Sequence, residues 1–146
     1  MKAMLIDENR NLVWSDVENP TVGPRDVLIE IHAAALNRAD LLQRQGKYPS
    51  PKGCPPWMGL EVAGIVCETG AEVTRWRTGD RVCALLGGGG YAEYAAVPAD
   101  MLMPMPKGLS FEEAASLPEA YATCYLNLFI EGGLKPCETL FFPAGA

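Results

Sequence analysis

Over the first two thirds of the chain the apolar residues come in short runs, each cut off by glycine, proline, asparagine or aspartate. That rhythm predicts short strands rather than long helices. Lys2 to Asp7, Val27 to His32, Val62 to Glu68, Arg81 to Leu86 and Tyr91 to Val97 are the β-prone runs. Asn19-Pro20, Gly23-Pro24, Gly70 and Gly79-Asp80 are the turns around them. Between the second and third runs, Arg38 to Gln45 predicts a two-turn helix, with Asn37 as N-cap and Gly46 as its left-handed stop. Tyr48 to Trp57 holds four prolines and a glycine, so it is expected to wrap as an irregular loop.

The character changes at Ser110. Ser110-Phe111-Glu112-Glu113 is a capping-box pattern, and Pro118 opens a further helix expected to run to about Glu131, where Gly132-Gly133 stops it. Thr139 to Phe142 is an apolar run of the buried-strand type. The expected fold class is therefore mainly β with short helices (α+β), a partly open β-barrel leading into the first elements of an α/β unit. No internal repeat is present.

Composition narrows the field. With 49% hydrophobic and 21% charged residues the chain is globular, and its 146 residues suffice for a core. A net charge of −6 without a basic run speaks against nucleic acid and anionic membranes as partners. No run approaches the roughly 18 apolar residues of a membrane span. Acidic residues at Asp7 and Glu8 come too early for a signal peptide. The five cysteines are scattered at least 13 residues apart, which is neither a disulfide framework nor a zinc-finger spacing and fits a reducing, cytoplasmic setting.

Four motifs remain: Ala35-Leu36-Asn37-Arg38-Ala39-Asp40; Arg44-Gln45-Gly46-Lys47-Tyr48; Gly59-Leu60-Glu61-Val62-Ala63-Gly64 with Gly70 and Gly79-Asp80-Arg81-Val82; and Leu117-Pro118-Glu119-Ala120 with Thr123. In order and spacing they resemble the zinc-independent quinone oxidoreductases of the medium-chain dehydrogenase/reductase superfamily, of the p53-inducible and zeta-crystallin type. The resemblance implies a GroES-like catalytic domain over 1–117, then a linking helix and first strand of a Rossmann domain over 118–146. Family chains are much longer, and Ala144-Gly145-Ala146 would only begin their dinucleotide fingerprint. The chain is therefore expected to be a catalytic-domain fragment, inactive alone, with apolar surface left exposed and homo-oligomerisation deferred to the longer form.

The resemblance also implies NADPH as cofactor, bound mainly by the Rossmann domain, and a quinone as small-molecule substrate. Zinc relatives place a cysteine ligand at Asn37 and a histidine at Leu60. Neither residue here can ligate zinc, and Cys124 alone cannot hold it, so no metal site is expected. By the same resemblance Asn37 is a catalytic and cofactor-binding candidate, Tyr48 a catalytic candidate that donates to or stacks on the substrate, and Thr123 a cofactor contact. Each has a plainer alternative: N-cap, packing aromatic and helix-surface threonine. Asp40 and Arg44, four apart, are read as a solvent-facing ion pair, or Arg44 as ordering the Tyr48 loop. Glu61 reads as a structural carboxylate before it reads as a general acid, and Glu119 as a residue complementing the helix dipole. His32 is assigned no catalytic role, and Gly87 to Gly90 read as a loop or bulge rather than a phosphate cradle. Two other functions compete: reduction of an α,β-unsaturated carbonyl or enoyl thioester on the same scaffold, and a non-enzymatic binding module.

Overall fold

In the computed structural model, residues 1–141 and Pro143 are described. The chain opens with an antiparallel hairpin of β1 (Lys2–Ile6) and β2 (Leu12–Asp16), in which Met4 faces Trp14. Asp7 closes its turn by accepting from the Asn11 and Asn9 backbone amides at 2.7 and 2.8 Å, and these bonds, Asn11 first, hold its carboxyl below the ordinary range. Strand β2 lies outside the expected elements.

The remaining strands are β3 (Asp26–Ala34), β4 (Glu61–Thr69), β5 (Arg81–Leu85), β6 (Tyr94–Pro98) and β7 (Leu102–Pro104). They form one antiparallel sheet in the order β6-β3-β4-β5-β7. Alternation does the sorting. Val27, Ile29, Val62, Val66, Val82, Ala84 and Val97 bury one face together with Trp76, Leu86 and Leu102. Ala63 and Cys83 on the opposite face lie against Ala114 and Ala115 of helix α2 (Phe111–Ala115). Register shifts at Leu28/Ile29 and Ile31/Ala33 let β3 bend around that core. The hairpin joins the sheet through the Ala3–Ala92 bridge and the bond from the Met4 amide to the Tyr91 carbonyl, 2.8 Å.

Helix α1 (Arg38–Arg44) follows β3 as expected, with Gly46 at φ +74. Helix α2 carries its capping box: the Ser110 amide donates to Glu113 Oε2 at 2.8 Å and the Glu113 amide to Ser110 Oγ at 3.2 Å. Helix α3 (Pro118–Tyr125) continues through a π-helical turn at Leu126–Glu131 and stops at Gly132. The mainly β, short-helix class holds. Of the strand expected over 139–142, the described residues Thr139 to Phe141 form none: among the described residues no strand lies alongside them to complete a ladder, and Phe141 is 83% exposed. Phe142 and Ala144 to Ala146, where the fingerprint was expected to begin, lie outside the described residues. Among the described residues no helix is long and apolar enough to cross a membrane.

Candidate active site

The site grows from the head of β4. Gly59, just before it, sits at φ +106, and a Cβ there would come within 2.5 Å of the Tyr91 backbone nitrogen. The Gly90 amide donates to the Gly59 carbonyl at 3.0 Å and the Tyr91 amide to the Met58 carbonyl at 3.0 Å. The four glycines at 87–90 therefore form a turn pressed against the 55–59 segment, with the Trp57 indole N–H donating to the Gly89 carbonyl at 2.9 Å. This close backbone approach delivers Tyr91 to the end of α1.

Helix α1 is inverted relative to an ordinary amphipathic helix. Asp40 and Gln43 are buried, while Leu41 is 59% exposed and Leu36, just before the helix, 85%. Gln43 donates through Nε2 to Ser50 Oγ (2.9 Å) and the Pro56 carbonyl (3.1 Å), which ties down the proline-rich loop. Asp40 Oδ2 accepts from the Asn37 backbone amide at 2.7 Å and the Tyr91 hydroxyl at 2.8 Å, and Oδ1 accepts from the Gly59 amide at 3.3 Å. Burial, then the Asp40 carboxylate, push the Tyr91 hydroxyl well above its ordinary pKa. Arg44 does not pair with Asp40. Its Nε donates to the Arg10 carbonyl at 2.7 Å, and the Arg10 side chain in turn donates to the Gln45 carbonyl. The solvent-facing ion pair is thus replaced by a buried carboxylate and a surface strap, because Asp40 points inward to three donors.

Asn37 holds the N-cap position in extended backbone, φ −122 and ψ 155. Its side-chain amide is used elsewhere: Nδ2 donates to Glu61 Oε1 at 2.9 Å. Glu61 is 3% exposed, and its Oε2 accepts from the Glu119 backbone amide at 2.8 Å, in the first turn of α3. Both oxygens of Glu61 are thus engaged, as a structural carboxylate's would be. Thr123 Oγ1 donates to Glu119 Oε1 at 3.1 Å. Leu60, beside Glu61, is buried. His32 stacks on Phe111, ring centroids 4.4 Å apart, with the Arg81 guanidinium 4.3 Å from the same ring, which pins α2 to the sheet.

Asn37, Asp40 and Tyr91 border a cleft of about 460 Å³ walled by Leu12, Leu36, Leu41 and Met58, within the size range of small-molecule sites. Tyr48, 38% exposed, is not among its lining residues, and neither is Thr123. The structure thus brings Asn37 and Glu61 together, links Thr123 to them through Glu119, and leaves Tyr48 apart. Sequence reasoning missed Tyr91 and the inward role of Asp40. The spacing Asn37-x-x-Asp40, a reciprocal N-terminal pattern, was the available sign of the second; nothing local marks Tyr91.

An open antiparallel β domain with one short helix at the head of its central strand defines a GroES-like β domain. The chain belongs to the alcohol dehydrogenase GroES-like domain family, whose model matches residues 23–107. It is 37% identical over 126 residues to the quinone oxidoreductase-like protein 2 homolog of Nematostella vectensis, covering 86% of this chain and 34% of that one. Among solved structures, a quinone oxidoreductase from Thermus thermophilus, described also in complex with NADPH, matches with TM-score 0.74 and 36% identity over 93% of this chain and 42% of its own. The CurK enoyl reductase matches with TM-score 0.82 and 27% identity, over 92% and 44%. The chain thus spans less than half the length of each of these proteins.

Proposed function

We propose that the chain is the catalytic-domain part, with its boundary at 117/118, of an NADPH-dependent, zinc-free quinone oxidoreductase. The observation that carries this reading is the Asn37 amide, held by Glu61 at the edge of an apolar cleft. A carboxylate only accepts hydrogen bonds, so Asn37 must turn its nitrogen to Glu61 and its oxygen away from it. That oxygen has lone pairs to accept from the N–H donors of a nicotinamide carboxamide, so the residues present suit the cofactor at that end. NADPH, when bound, supplies the hydride. The chain's own residues do the rest: Asn37 orients, and Leu12, Leu36, Leu41 and Met58 shield the acceptor from water.

Where the resemblance places zinc ligands, the side chains are a buried leucine and an amide already bonded to a carboxylate, a donor set unsuited to zinc. Charge building on the quinone oxygen then calls for a hydrogen-bond donor, and Tyr48 is the proposed one. Thr123, tied to Glu119, is proposed as a second cofactor contact. The chain alone is expected not to turn over, since most of the cofactor grip lies in the part of the family fold that it does not span.

A second reading, favoured by the likeness to an enoyl reductase, keeps the site and changes the acceptor to an enone or enoyl thioester. The test is NADPH consumption by the gene product carried to its natural stop codon, assayed with an ortho-quinone, a para-quinone and an enone. Turnover of a quinone and not the enone supports the main reading, turnover of the enone alone supports the second, and no turnover favours a binding module.

A further inference from the structure

Glu61 is buried and accepts from donors on two different elements. Its Oε1 takes Asn37 Nδ2 at 2.9 Å, and its Oε2 takes the Glu119 backbone amide of α3 at 2.8 Å. From Glu119 the chain of contacts continues to Thr123 Oγ1 at 3.1 Å. The two proposed cofactor contacts are therefore both tied to a side chain 3% exposed, Asn37 directly and Thr123 through the body of Glu119, whose backbone amide makes one bond and whose carboxylate makes the other.

We propose that Glu61 is a positioning residue that sets which edge of the Asn37 amide faces the cleft and locks that edge to the first turn of α3. This rests on the reading that Asn37 meets the nicotinamide. The backbone N–H of Glu119 cannot turn round, so whatever replaces Glu61 must still accept there. In Glu61→Gln the amide oxygen is claimed by Glu119, and the new NH2 then faces Asn37. Two NH2 groups cannot face each other across 2.9 Å, so Asn37 flips and presents a donor to the cleft instead of an acceptor. The fold keeps its shape and volume; only the polarity of the edge inverts.

That logic supplies a rescue that a merely structural carboxylate would not. Adding Asn37→Asp to Glu61→Gln restores an acceptor at the cleft, because one aspartate oxygen takes the glutamine NH2 and the other stays free. Asn37→Asp alone sets two carboxylates against each other and should be the worst of the set.

The experiment measures NADPH affinity by fluorescence titration for the gene product carried to its natural stop codon, with near-UV circular dichroism checking each fold. Asn37→Ala and Glu61→Gln should each weaken binding by about tenfold, and the double variant Asn37→Asp with Glu61→Gln should recover most of it. If Asn37→Ala binds NADPH as tightly as the unaltered protein, the cofactor reading of Asn37 fails and takes the proposal with it. If Asn37→Ala is weakened but Glu61→Gln is not, or the double variant is no better than Glu61→Gln alone, the positioning role is overturned and the cofactor reading stands. A measurement on the unaltered 146-residue chain guards against a variant that does not fold. One Asn37 side-chain N–H should exchange with solvent far more slowly than its partner; equal, fast exchange of both would also overturn the proposal.

Discussion

The hydroxyl of Tyr91 donates a 2.8 Å hydrogen bond to the buried carboxylate of Asp40 across 51 positions of sequence. Through it the turn after the four glycines is joined to the inner face of α1, and both border the cleft. The bond needs Tyr91 protonated, which gives it a pH signature.

Because the folded-state pKa of Tyr91 is raised by burial and by Asp40, the folded chain holds its phenolic proton where the unfolded chain, with an ordinary value near 10, releases it. The stability from this group is therefore fully present below pH 10 and declines as pH climbs above it. Urea midpoints at pH 8, 9.5 and 10.5 should show that decline, and Tyr91→Phe should be less stable at pH 8 but flatter above pH 10. An equally steep alkaline loss in Tyr91→Phe would mean that another group is responsible.

On α1 the usual ranking of substitutions should reverse. Asp40→Ala removes the acceptor of three donors and should cost at least about 1–3 kcal/mol. Leu41→Ala, at a residue 59% exposed, should stay within about 0.5 kcal/mol. Denaturant unfolding of both variants decides it, and a costlier Leu41→Ala would show that the leucine face of the helix is covered in solution.

The sheet was legible because its strands are short, β-prone apolar runs cut off by turn residues, and on β3 the buried Val27 and Ile29 alternate with less buried neighbours. Strand β2 was not, since Leu12, Val13 and Trp14 are all exposed and give no in–out rhythm. Asn37 and Glu61 could be singled out from their motifs, but not their bond, which spans 24 positions and depends on where β3 delivers the helix. Asp40 was misread for a reason of scale. A carboxylate four residues from an arginine usually faces water with it, and only the three inward donors, two of them backbone amides from separate segments, outweigh that. The apolar run at Thr139 to Phe141 looked like a buried strand, yet burial belongs to the neighbours of a segment as much as to its composition.

Gly59 and Gly79 make a matched pair for separating backbone strain from steric exclusion. Both have positive φ, +106 and +93, but a Cβ on Gly79 meets nothing within 4 Å, whereas one on Gly59 meets the backbone of Gly90 and Tyr91. Gly79→Ala should cost only the strain, on the order of 1 kcal/mol. Gly59→Ala should cost clearly more, because both neighbours are main chain and cannot swing aside. It should also disturb the Tyr91–Asp40 bond, visible as a Tyr91 ring shift in the NMR spectrum. Equal losses at the two glycines would mean that the 87–90 turn yields easily.

Tyr48 is the proposed substrate donor that the cleft lining leaves out, so its test must separate chemistry from packing. It is 38% exposed on the loop that Gln43 ties down through Ser50 and Pro56. Tyr48→Phe keeps the ring and removes only the hydroxyl. If that hydroxyl donates to the developing oxyanion, quinone reduction by the gene product carried to its stop codon should lose about tenfold in kcat, the value of one hydrogen bond made in the transition state. NADPH affinity should be unchanged, because the cofactor is assigned to Asn37 and Thr123. Gln43→Ala should slow the same reaction less, by loosening the loop rather than removing the donor. An unchanged kcat in Tyr48→Phe would reduce Tyr48 to a packing aromatic and send the search for the donor to the groups bordering the cleft, where Arg38 is the first candidate.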